Sequence, residues 1–145
     1  MKTCFLHNSI YNKVMDILEQ YIEEIEKDLQ INEFNLKDSS MKTPARKHYW
    51  VSKLIRHKKN LIKLKRDRDT LKKEVVKTII KESPIKVTTP VAEKASYNHD
   101  KMREIGKKIN DEELIIEFLE KTEKTFSAVG FDIKNIIEIM KMEQL

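Results

Sequence analysis

Apolar residues recur at three- and four-residue steps in several stretches of this chain, and each such stretch predicts an amphipathic helix. From about Ser9 to Leu29 the repeating positions are Ile10, Val14, Ile17, Leu18, Tyr21, Ile22, Ile25 and Leu29, with an acidic opposite face. From Thr43 to Glu82, Trp50, Leu54, His57, Leu61, Leu64, Arg68, Leu71 and Val75 alternate steps of four and three, the spacing of a coiled-coil seam. Thr43 suits the N-cap, Pro44 the first turn, and Ser83-Pro84 the stop. From Asp100, the same spacing carries Met102, Ile105, Ile109, Ile116, Leu119 and Phe126, with Glu112 and Glu123 in the remaining seam positions. Gly130 then marks the end of that helix. Asp132 is placed to cap a last one, with Phe131 and Ile136 spaced as a hydrophobic staple.

The segments between these helices are polar. Residues 32–42 (Asn35, Asp38, Ser39, Ser40) form a predicted loop, and residues 83–99, with Pro84, Pro90, Thr88 and Thr89, a predicted linker. The expected organisation is therefore one all-α domain in four parts: an acidic amphipathic helix and loop over 1–42, a long helix over 43–82, the linker over 83–99, and C-terminal helices over 100–145. Only two Gly and three Pro occur in 145 residues, which supports helices joined by few turns and leaves little support for β structure.

Charge changes the picture most in the long helix. Residues 42–81 hold fifteen Lys and Arg against three acids, a net of +12, whereas 1–41 sum to −4 and 82–145 to −3. Lys58, Lys65 and Lys72 form one row beside the seam, Lys59, Arg66 and Lys73 a second, and Arg56, Lys63 and Lys77 a third. Acids three or four residues away compensate only a few of these. A polyanion laid along a helix of about 57 Å would meet successive cations. Arg46, Lys47, Tyr49 and Lys53 extend the candidate DNA-binding set toward the helix start. Tyr49 offers a ring for unpaired bases, whereas Trp50 lies on the apolar seam and suits the core. The plain alternative is a solvated charged face.

Candidate chemistry is otherwise sparse. Cys4 is the only cysteine, so no internal disulfide forms and a reducing compartment fits. No stretch has the pattern of a signal peptide or the length of a membrane span. His7, His48, His57 and His99 lack metal-ligand spacing, and the isolated Gly106 and Gly130 make no phosphate loop. The expectation is a protein without cofactor and without catalysis. Glu112, on the seam, is predicted to pair with Arg68 or His57.

Apolar surface exceeds what a thin helical protomer can hide. Ile109, Ile116, Leu119, Phe126, Ile133, Ile136, Ile137 and Met140 are therefore candidate homo-oligomer contacts. Ile55, Ile62 and Val76 form a second apolar row on the basic helix, between two of its basic rows.

Several short motifs occur in succession: Glu24-Ile25-Glu26-Lys27-Asp28, Ile31-Asn32-Glu33, Met41-Lys42-Thr43-Pro44, Leu71-Lys72-Lys73-Glu74, Phe118-Leu119-Glu120, and Gly130-Phe131-Asp132-Ile133-Lys134-Asn135-Ile136-Ile137-Glu138. In order and spacing they resemble the UvsY family of phage recombination mediators, over about two thirds of the chain. Where that family has a Tyr-Tyr-Ser-Gly segment, this chain has Thr78-Ile79-Ile80-Lys81-Glu82-Ser83-Pro84, and its first fifteen or so residues look like an extension. The resemblance implies a small all-helical protein, elongated and assembled into a ring or barrel through its C-terminal helices. It further implies binding of single-stranded DNA and loading of a RecA-like recombinase onto strands coated with single-strand-binding protein, in the cytoplasm of an infected cell. Two rivals stand beside it: a coiled-coil scaffold whose basic helix binds an acidic protein, and a peripheral membrane protein.

Overall fold

A computed structural model describes residues 17–144 of the chain. The described part of the first helix, α1, spans residues 17–28. It is followed by α2 (Leu36–Glu82), α3 (Thr89–Ser96) and α4 (Asp100–Glu143). No strand occurs among the described residues, and the all-α class holds.

Two compact units divide the chain. The first takes Met1–Leu54 and Glu117–Leu145, the second Ile55–Ile116. Helices α2 and α4 each contribute a stretch to both. Among the described residues, the first unit buries Ile25, Leu36, Trp50, Leu54, Leu119, Phe126 and Ile133. The second buries Val75, Ala92, Met102, Ile109, Ile115 and Ile116. Seam positions of both long helices thus point inward, as their four-three spacing requires.

The sequence reading misplaces three boundaries. Helix α2 starts at Leu36, not at Thr43, and Pro44 lies inside it. A tight turn launches the helix early: the Asn32 side chain accepts from the Phe34 and Asn35 amides at 2.9 and 3.1 Å, and Asn35 Oδ1 accepts from the Asn32 amide at 2.8 Å. The Asn35 carbonyl then takes the first helical bond, from Ser39 at 2.8 Å. Buried Leu36 and the Lys42–Asp38 ion pair hold the added turns. Thr43, predicted as the cap, instead donates its hydroxyl to the Ser39 carbonyl at 2.7 Å. Proline at position 44 removes one backbone donor, a defect that these interactions tolerate.

The second change lies within the predicted linker, which contains α3. Thr88 is extended and its carbonyl accepts from Val91 and Ala92, so Pro90 falls in the first turn, where a missing donor costs nothing. Ala92 and Ser96, four apart, are its buried residues. The third change is at Gly130, where α4 continues without a break and no residue takes positive φ. Phe126 and Ile133, seven residues apart, are buried on either side of the glycine. Glycine in a helix costs about 1 kcal/mol relative to alanine, which two buried anchors of this size exceed. Asp132 is consequently no cap, and Phe131 is 65% exposed rather than stapled.

Candidate nucleic-acid interface

Basic residues of the first unit are engaged by its own acids and rings. Arg46 donates Nε to Asp28 Oδ2 and Nη2 to Glu24 Oε1, both at 2.7 Å. Burial opposes its charge, but the bonds to Asp28 and Glu24 prevail and hold the guanidinium above its ordinary pKa. Asp28 Oδ2 also accepts from Trp50 Nε1 at 2.9 Å, which satisfies the indole of a residue 1% exposed. Tyr49 packs edge-on to Trp50 at 5.0 Å between centroids, with Arg46 4.5 Å and Lys53 5.3 Å from its ring. Lys53 is also 5.5 Å from the Tyr21 ring. Lys47 reaches Ser127 Oγ at 2.8 Å and Glu123 at 3.4 Å. This constellation builds a core edge, and Tyr49 is held within it by its edge contact with Trp50 and the cations over its ring.

The second unit differs. Arg56, Lys59, Lys63, Arg66, Lys73 and Lys77 are exposed on α2 and form no ion pair among the described residues. Lys58 is exposed beside them. Lys65 pairs with Glu113 at 3.0 Å, and Arg68 turns back to Asp69 at 3.1 Å. Within the seam, His57 Nδ1 and Glu112 Oε1 meet at 2.7 Å, one of the two pairings expected of Glu112.

A hollow of about 690 Å³ lies between α2 and α3, lined by Asp69, Lys72, Lys73, Val76, Lys77, Ile80, Thr89 and Glu93. Lys72 Nζ donates to Tyr97 Oη at 3.2 Å, an interaction that raises the Lys72 pKa, and lies 5.0 Å from that ring's centre. Tyr97 is a residue that the sequence reading left unassigned. Its signal was faint, because a single aromatic in an apparent linker has no periodicity to place it.

The candidate oligomer contacts divide as well. Ile109, Ile116, Leu119, Phe126 and Ile133 are buried within the chain itself. Ile137 and Met140 are half-buried and Ile136 is exposed, alongside Phe131, Ile139 and Met142. Among the described residues, no helix is long and apolar enough to cross a membrane, and no group of three or more His, Cys, Asp or Glu could hold a metal ion.

No protein-family profile matches this sequence, and no curated protein matches it either. Among solved structures, the bacteriophage T4 recombination mediator protein UvsY is similar, with a TM-score of 0.75 at 17% identity, over 87% of this chain and 98% of that one. Such a likeness concerns the path of the backbone, and on it this chain has the helical fold of UvsY.

Proposed function

We propose that the protein is a recombination mediator that binds single-stranded DNA through the second unit's stretch of α2 and promotes loading of a RecA-like recombinase onto strands coated with single-strand-binding protein. The observation that carries strand binding is the set of exposed cations without ion partners among the described residues: Arg56, Lys59, Lys63, Arg66, Lys73 and Lys77. Unneutralised neighbours on one helix repel one another, and a phosphate chain relieves that repulsion while releasing its own counterions. The fold of UvsY supports the mediator role, and the recombinase and coat-protein partners rest on the motif resemblance.

Action is by binding alone, with no catalytic step. Several copies associate through the exposed apolar residues near the end of α4, including Ile136 and Ile139. Modest strand sites on one assembly then combine through effective concentration, while each single contact exchanges readily. Strand affinity measured against salt is the test. Each neutralised phosphate contributes about 0.7 to the slope of log K against log salt, so several contacts give a steep response. A flat response would remove strand binding from the account.

A further inference from the structure

Ile55 and Ile62 are 58% and 54% exposed on α2, although seven residues apart on one face of a helix that otherwise presents charge. Lys58, Lys59, Lys63 and Arg66 flank them, and the six side chains line an open groove of about 460 Å³ within the second unit. Phosphate contacts need the cations but not the isoleucines. Single strands are otherwise gripped by aromatic platforms, and no Phe, Tyr or Trp lines this groove. Two aliphatic anchors at a helical repeat, with cations on both flanks, complement a different shape: a helix with apolar residues at i, i+3 or i+4, and i+7, bordered by Asp or Glu.

We infer that the Ile55–Ile62 groove docks an acidic amphipathic helix of a partner protein. The apolar pair gives this contact a component that salt does not screen, unlike a contact made through phosphates. Because Lys59, Lys63 and Arg66 would serve both ligands, the partner helix and a DNA strand compete for the same face.

The probes are two synthetic peptides of about fourteen residues. One carries leucines at the helical repeat bordered by glutamates, and the other has the same composition scrambled. Each is titrated into the full chain by fluorescence anisotropy, with an oligo-dT strand titrated in parallel. The patterned peptide is expected to bind about tenfold more tightly than the scrambled one or better. Ile55→Ser with Ile62→Ser should abolish that preference, keep the strand's affinity within about twofold, and leave helix content and solution mass unchanged.

Equal binding of the two peptides overturns the inference. So does a preference that survives the double substitution. A matching loss of strand affinity would make the groove part of the strand track, and a fall in solution mass would make it a contact between copies; either result overturns it too. If oligo-dT fails to bind the unaltered chain while the patterned peptide still discriminates, docking stands and strand binding falls.

Discussion

His57 Nδ1 lies 2.7 Å from Glu112 Oε1, and both side chains are largely shielded from water. The pair occupies seam positions that the apolar repeat would otherwise fill with leucine or isoleucine. Removing one member leaves the other shielded without that partner, at a cost of about 1–3 kcal/mol. Glu112→Ala is therefore expected to lower the unfolding free energy by that amount, seen as a lower denaturant midpoint at unchanged slope. A double-mutant cycle with His57→Ala should return a coupling of about 0.5–3 kcal/mol, whereas additive losses would show that the contact contributes nothing specific.

Arg46→Ala separates structural cations from those proposed to hold a strand. Its guanidinium spans Glu24 and Asp28, and the indole of Trp50 shares Asp28. Loss should cost on the order of 1 kcal/mol of stability, discounted because Glu24 is partly exposed. Strand affinity should change little. An unfolding curve and an oligonucleotide titration on the same preparation test both halves.

Lys73→Ala with Lys77→Ala should act in the opposite sense. Both side chains are exposed without ion partners among the described residues, so stability should move by no more than about 0.5 kcal/mol. Strand affinity should fall, and the slope of log K against log salt should shrink by about 0.7 for each phosphate no longer neutralised. An unchanged slope would place the strand elsewhere.

Gly130→Ala tests the continuity of α4. A Cβ built there meets nothing within 4 Å, and the residue has no positive φ. Alanine should then stabilise the protein by about 0.4–1 kcal/mol, seen as a raised denaturant midpoint. Destabilisation would indicate that the helix ends at the glycine.

Ile136→Asp with Ile139→Asp addresses association. Both side chains are exposed, so the chain should remain folded while its mass in solution falls to that of a smaller species. Sedimentation of the double variant beside the unaltered chain would reveal the change.

Seam spacing made the long helices and their inward faces legible, down to Trp50, Phe126 and the place of Glu112. Local breaker signals misled. Pro44 and Gly130 resemble punctuation when only neighbours are considered, yet the Asn32–Asn35 turn and the Phe126–Ile133 anchors override them from outside the window that such rules inspect. Short helix α3 was hidden because eight residues offer too few turns for a period to emerge. The interface divided for a similar reason: charge rows give a helix face, but not which acid folds back onto it. Arg46 and Glu24 are 22 residues apart in the chain, a separation that no periodicity encodes.

Pro44 has one more effect. Without its amide hydrogen, Pro44 leaves one ladder bond unmade near the start of α2, where the Thr43 hydroxyl on the Ser39 carbonyl supplies a side-chain tie. Amide exchange along α2 should accordingly be stepped, with fast deuteration before the proline and slow deuteration from Trp50 onward. A ligand that grips the far stretch of the helix would leave that early step untouched.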